Sequence, residues 1–374
     1  MSTRTGPTWL DSLSLLSEVA DELVVRSVRD THDAWADRFG GYPGRSIATA
    51  VYAGVGLGFR ATSAGLGRLA DAVADTEVGP RLEDGPRGRF VSSAVNGLIG
   101  DRLREDRPRM AIRMAVRSDG RDVPTTDLAR AFPDATGQVV LFLHGLCENE
   151  SYWDRGPGPT YGVALAERGW TPVFLRANTG LGLRENGVAL SSLVQEVVDA
   201  WPVPVTRIAL VGHSMGGLVI RAAGAVATEV AEPWTDLVSD VITLGTPHLG
   251  APIARGIGHG SRGLGLLPET AAFGRILDWR SVGVHDLVAG LAEDVPPLPR
   301  ARYRLVAATL TTRPRHPVGH VVGDLLVRVP SAYGRGRRGH ELFPGATVLH
   351  VGRTDHFGLL NHPRVHAALE EWLA

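Results

Sequence analysis

Lysine is absent from this 374-residue chain, so all 39 of its basic side chains are arginine. That excludes chemistry needing an ammonium group: Schiff-base formation, Ser–Lys catalysis and the phosphate-binding lysine of a P-loop. Cysteine is almost as scarce. Cys147 stands alone, which rules out an intrachain disulfide and a thiolate set for a metal. Excess charge is missing too, and a formal net of −1 gives no electrostatic case for nucleic acid. The longest uncharged apolar run, Ile47 to Phe59, is 13 residues. A membrane-spanning helix needs roughly 17–25. The opening MSTRTGPTWLDSL has neither an apolar h-region nor a small-residue cleavage site, and the expectation is a cytoplasmic protein.

Two textures follow along the chain. Residues 1–109 read as a helical N-terminal region. Leu13, Leu16, Ala20, Leu23 and Val24 recur at helical spacing after a cap at Thr8, with Asp11 three positions on. A second helix is expected from Ile47 to about Ala74, with Ala50, Gly54 and Gly58 along one stripe. From residue 110 to 374 strands and helices alternate. MAIRMAVRS (110–118) reads as an edge strand. QVVLFLHG (138–145), TPVFLRAN (171–178), RIALVGHS (207–214), DVITLGTPH (240–248), YRLVAATL (303–310) and ATVLHVG (346–352) read as buried strands. Helices are expected over Leu190–Ala200 and Leu218–Val230. Such alternation implies an α/β architecture, a mostly parallel central sheet with helices on both faces. Its ligands would bind outside the carboxyl ends of the strands. Residues 251–300, Gly-rich and then helical, are too long for a connector and read as a cap or lid.

VGHSMGG (211–217) carries Gly-x-Ser-x-Gly between an apolar strand pattern and a helix pattern. A nucleophile elbow needs that spacing, because glycines beside the serine let strand and helix approach closely. Ser214 is therefore the candidate nucleophile. The N–H of Met215 is the expected first oxyanion donor, and Leu146 in LHGLCENE (143–150) supplies the second.

The acid and base follow the serine in this architecture. Asp278, Asp286 and Asp294 fall inside the cap, whereas Asp324 in VVGDLLVRVPSAYG lies between the last two strands. A turn-capping role is its bland alternative. For the base, RTDHFGLLNHPRVH (353–366) holds three histidines. His356 sits in the loop after the last strand. His362 precedes Pro363, which opens a helix containing His366. His350 belongs to the strand, His144 precedes the serine, and Asp355 is the base's own neighbour. The pairs His316/His320 and His362/His366 have i, i+4 spacing, but no HExxH occurs and Pro317 disfavours a helix at the first pair. No metal or cofactor is called for.

VVLFLHGL (139–146), LVGHSMGGLVIRAA (210–223), LGTPHLGAP (244–252), GDLLVRVPSA (323–332) and HFGLLNHPRV (356–365) together resemble the lipase branch of the α/β-hydrolases. The resemblance is to bacterial triacylglycerol lipases and GPI-inositol-deacylase-like hydrolases, and it covers about residues 110–374. It implies the α/β-hydrolase fold, with Ser214 as nucleophile, Asp324 as acid, His356 as base, and Leu146 and Met215 as oxyanion donors. Calcium-binding members carry an aspartate two positions beyond the catalytic histidine. Gly358 stands there in this chain, which argues against the calcium site.

The expectation is a serine hydrolase cleaving carboxylic esters, small-molecule or lipid, through an acyl-enzyme. An acyltransferase would use the same triad, and a non-catalytic binding protein would be expected to lack a triad member. A third reading docks residues 1–109 and GRGRRG (334–339) on anionic lipid, against a solvated loop as the alternative.

Overall fold

The computed structural model describes residues 7–19, short pieces at 61, 64–66 and 68, and residues 81–156, 158–227, 229–251, 281–291, 295–313, 323–336 and 340–374. Most of the helix expected from Ile47 and most of the expected cap lie outside the described residues, as do Asp278, Asp294, His316 and His320. Contacts divide the chain into two units. The first comprises the described parts of residues 1–92 with Arg107–Met110. In it α1 (Trp9–Val19) opens on a reciprocal cap. Thr8 N–H and Oγ1 both donate to Asp11 Oδ2, at 2.7 and 2.8 Å, and Asp11 N–H donates back to Thr8 Oγ1 at 3.3 Å. Asp11 also pairs with Arg109 at 3.3 Å.

The second unit holds an eight-stranded sheet: β1 (Ala115–Ser118), β2 (Arg121–Val123), β3 (Gln138–Leu143), β4 (Thr171–Arg176), β5 (Arg207–His213), β6 (Val238–Leu244), β7 (Arg302–Thr309) and β8 (Thr347–Gly352). Their order is β2-β1-β4-β3-β5-β6-β7-β8. From β4 to β8 every pairing is parallel. The expected edge strand 110–118 is shorter and is not the edge. β1 pairs antiparallel with both β4 and β2, and β2 forms the border. Asp119 and Gly120 turn the hairpin with φ of 50° and 70°, the left-handed pair that a two-residue loop requires.

The central strands are apolar throughout because both faces are covered. In β3, Val139, Leu141 and Leu143 join the cluster under α5 (Leu183–Ala200) and α6 (Met215–Gly224). Val140 and Phe142 point the other way, toward Trp153, Tyr161 and α9 (Pro363–Trp372). α5 starts seven residues before its expected onset, and α6 stops at Gly224 rather than Val230. α9 has Pro363 in its first turn, and the His362 side chain caps it by accepting from Arg364 N–H at 3.1 Å. In α2 (Pro86–Asp106), Ile99 leaves helical geometry with φ −141° and ψ 23°, and the shorter helices are α3 (Leu128–Ala131), α4 (Tyr161–Ala166), α7 (Val282–Ala289) and α8 (Val329–Ala332). No described helix is long and apolar enough to cross a membrane.

Between β3 and β5 the strand order reverses. In an open α/β sheet the crevice outside the carboxyl ends at such a point is where ligands bind. LHGL leaves β3 there and Ser214 leaves β5 there. The arrangement is the α/β-hydrolase fold.

Candidate active site

Ser214 occupies the sharp turn from β5 into α6 with φ 51° and ψ −120°, a region that non-glycine residues rarely adopt. The flanking glycines explain how the turn closes. A Cβ on Gly212 would lie 2.6 Å from Gly217 N, and one on Gly216 would lie 2.6 Å from the His144 carbonyl oxygen. β5, α6 and the turn after β3 thus approach backbone to backbone. Ser214 N–H donates to the Leu244 carbonyl at 2.8 Å, which ties the elbow to the end of β6.

The next residue along that strand end, Gly245, adopts φ 61° and faces His356. A Cβ there would meet His356 Cε1 and Nδ1 at 3.1 Å. His356 is buried, and its Nδ1 lies 2.8 Å from Asp324 Oδ2 while its backbone N–H donates to the Asp324 carbonyl at 3.0 Å. A carboxylate can only accept, so Nδ1 carries the proton and Nε2 keeps the lone pair that a general base needs. Asp324 is also the turn-capping residue of its bland alternative: Oδ1 accepts from Leu326 and Val327 N–H at 3.0 and 2.7 Å. One oxygen holds the turn and the other holds the imidazole. The turn runs through Leu325 at φ 86°, an uncommon conformation for a branched aliphatic residue.

Of the remaining sequence candidates, Met215 is the first residue of α6, where backbone N–H groups lack intrahelical partners. Leu146 lies one residue past Gly145, where a Cβ would come 2.9 Å from Ser214 Cβ. Cys147 adopts φ 61° and donates its N–H to Thr179 Oγ1 at 3.1 Å, so the turn after β3 is fixed from its far side. His144 is spoken for: its Nε2 accepts from Ala177 N–H at 3.1 Å, which leaves Nδ1–H to donate to the Gly145 carbonyl at 2.9 Å. Burial lowers its pKa and keeps it neutral. Asp286 binds the Leu183 N–H at 2.8 Å. His350 pairs with Thr309 Oγ1 at 2.9 Å, and His366 packs on the Tyr161 ring at 4.5 Å. In GRGRRG, Arg335 is bonded to Glu341 at 3.0 Å; residues 337–339 lie outside the described residues.

Two buried residues at the site escaped sequence reasoning. Glu148 Oε2 accepts from Gly145 N–H at 2.7 Å and lies 2.9 Å from His213 Nδ1. His213 Nε2 lies 3.2 Å from the His356 carbonyl oxygen, and the two imidazoles are 4.7 Å apart. Burial works against the charged form of Glu148, yet the adjacent His213 and the Gly145 N–H hold its pKa below the usual carboxylate value. Burial likewise opposes charge on His213, but Glu148 outweighs it and raises the imidazole's pKa. The only sequence hint was an acid three residues beyond Gly145, together with a histidine inside Gly-x-Ser-x-Gly.

The sheet order and the serine turn at its switch point give this chain an α/β-hydrolase fold. A family model described as a PGAP1-like alpha/beta domain matches residues 175–259, from the end of β4 past LGTPHLGAP. The chain is 32% identical over 132 residues to a triacylglycerol lipase of Pseudarthrobacter phenanthrenivorans and, over the same length, to one of Burkholderia plantarii. The match covers 32% of this chain and spans only 36% and 32% of those two proteins. Among solved structures, the mature form of the Bacillus licheniformis lipase BlEst2 is 20% identical, with a TM-score of 0.45 over 63% of this chain and 92% of that one. Lipase 1 from Pelosinus fermentans is 14% identical, with a TM-score of 0.40 over 63% and 98%.

Proposed function

We propose that this protein hydrolyses carboxylic esters through an acyl-enzyme on Ser214. The observation that carries the reading is the juxtaposition at one sheet edge. A serine held at φ 51° on the β5–α6 turn sits one hydrogen bond and one residue away from Gly245, on which the ring of an Asp324-bound His356 rests. The curated relatives' description as triacylglycerol lipases supports an ester carbonyl as the electrophile.

In this mechanism His356 Nε2 takes the Ser214 proton as Oγ attacks the carbonyl carbon. Asp324 keeps the imidazole in the required tautomer and stabilises the imidazolium without itself being protonated. The N–H groups of Met215 and Leu146 receive the oxyanion, each donor being worth about 3 kcal/mol in the transition state. The imidazolium then protonates the departing alcohol. Water, deprotonated by the same nitrogen, releases the acid.

Hydrolysis of p-nitrophenyl esters from acetate to palmitate tests this, with Ser214→Ala as control. Turnover that disappears in Ser214→Ala is the expected result, and the chain-length optimum separates esterase from lipase. Product analysis with an added alcohol or amine acceptor separates hydrolysis from acyl transfer. Failure of a fluorophosphonate to label Ser214 would overturn the proposal.

A further inference from the structure

Glu148 and His213 lie beneath the candidate site, and the triad mechanism uses neither. Together they make contacts to both halves of the site. Gly145, whose N–H donates to Glu148 Oε2, opens the oxyanion turn; Glu148 N–H donates back to the Gly145 carbonyl at 3.2 Å. His356, whose carbonyl faces His213 Nε2, is the general base of the proposed mechanism. His213 itself precedes Ser214. The pair therefore runs from the turn after β3, through the end of β5, to the loop after β8.

A carbonyl oxygen has no proton to give, so the contact at His356 requires a proton on His213 Nε2. The other contact, at Nδ1, meets a carboxyl oxygen that already accepts from Gly145. An ionised Glu148 whose Oε2 accepts from both donors satisfies all three contacts, and both imidazole nitrogens then carry protons. We propose that Glu148 and His213 form a buried carboxylate–imidazolium pair that positions the oxyanion turn and the His356 loop relative to each other. Neither residue touches the substrate; both act through Gly145 and His356. The proposal's catalytic consequence rests on the ester-hydrolase reading, whereas the charge state of the pair does not.

The groups facing His213 have consistent signs. Glu148 approaches from the turn after β3, Asp324 from the turn after β7, the His356 ring lies tilted at 4.7 Å, and Trp153 presents its ring edge-on at 6.4 Å. Both carboxylates favour the imidazolium. The imidazolium is lost as pH rises through a pKa held above the ordinary histidine value. The neutral ring has one N–H, so one of the two links must then break.

The deciding experiment combines histidine side-chain nitrogen NMR with kinetics on the full chain. His213 signals are assigned by their loss in His213→Gln. At pH 7 the wild type is expected to show both His213 nitrogens protonated, and Glu148→Gln to show one. With p-nitrophenyl acetate, Glu148→Gln is expected to lower kcat at least tenfold with little change in KM, because misplaced groups affect the reacting geometry more than ester binding. Its alkaline limb should move to lower pH, which a merely structural role would not cause. If Glu148→Gln does not fold, His213→Gln serves for the kcat and KM comparison. A bare nitrogen on wild-type His213 at pH 7 overturns the ion pair. A Glu148→Gln pH profile superimposable on the wild type overturns its positioning role. If no ester is turned over, the fluorophosphonate labelling rate of Ser214 replaces kcat. Absence of labelling would sink the hydrolase reading while the NMR result still decides the pair.

Discussion

The imidazole of His356 is held by two unlike constraints, a charged acceptor at Nδ1 and a bare backbone surface at Gly245. Removing the charge while keeping the shape, as in Asp324→Asn, should leave the fold intact and lower kcat about 10⁴-fold, because the amide favours the wrong tautomer. Parallel ester kinetics and thermal unfolding check this. Gly245→Ala acts on the second constraint. A methyl group 3.1 Å from the ring, on a residue at φ 61°, should displace the imidazole. An ångström-scale shift of that kind lowers kcat on the order of 100-fold. The left-handed backbone adds about 1 kcal/mol of instability. A large kinetic loss with a small change in melting temperature is the expected signature. Equal kcat in Gly245→Ala and wild type would show that the ring does not depend on this surface.

At the scale of elements, the glycines of VGHSMGG act as a joint between strand, helix and turn. Gly212→Ala would drive a Cβ into the Gly217 backbone at 2.6 Å, where no side chain can rotate away. Destabilisation of about 1–3 kcal/mol is expected, read as a shift in the urea midpoint at constant slope. Much of this architecture could be read beforehand. β3 to β7 announce themselves as apolar runs because parallel strands are covered on both faces; ATVLHVG reads the same way, yet β8 is the border strand and only Val351 in it is buried. Gly-x-Ser-x-Gly was legible because its spacing encodes a steric requirement. β2 was not, since RDV is short and mostly polar and its pairing depends on the Asp119–Gly120 turn. Nor was the end of α6. Val226 and Val230 continue its apolar spacing, yet the last helical residue is Gly224, whose Cβ would lie 2.9 Å from Leu298. Asp324 is singled out in the sequence by its place between strands, whereas its simultaneous hold on the turn and on the His356 ring depends on the fold. Glu148 and His213 were invisible because their meaning is pairwise and 65 positions separate them.

For the whole molecule, buried histidines of opposite tendency shape the response to pH. Burial, with Arg221 adding to it, lowers the His248 pKa to about 3, and burial lowers that of His144. An unfolded histidine takes up a proton near pH 6.5. As pH falls below that value the unfolded chain gains protons that the folded chain cannot accept, and stability drops. His213 has the opposite sign. Its raised pKa contributes stability that is complete below 6.5 and is lost as pH rises through its folded value. The expected profile is a plateau with an acid and an alkaline shoulder. Urea midpoints measured across pH should show the acid shoulder flattened in His248→Leu and the alkaline one flattened in His213→Gln.

Cys147 gives this architecture a built-in clock. Its thiol is the single one in the chain, and burial, with Glu148 adding to it, raises its pKa to about 11, so thiolate is scarce at neutral pH. Its Sγ lies against the backbone of α2 at Gly97 and 3.7 Å from the Ala94 carbonyl. The half-buried thiol becomes more accessible when that contact parts. With slow chemistry, the reaction rate of one atom reports the fraction of time that the turn after β3 and α2 are apart, without a fluorophore or an engineered label. An ester analogue that occupies the site and stills the turn would slow the count.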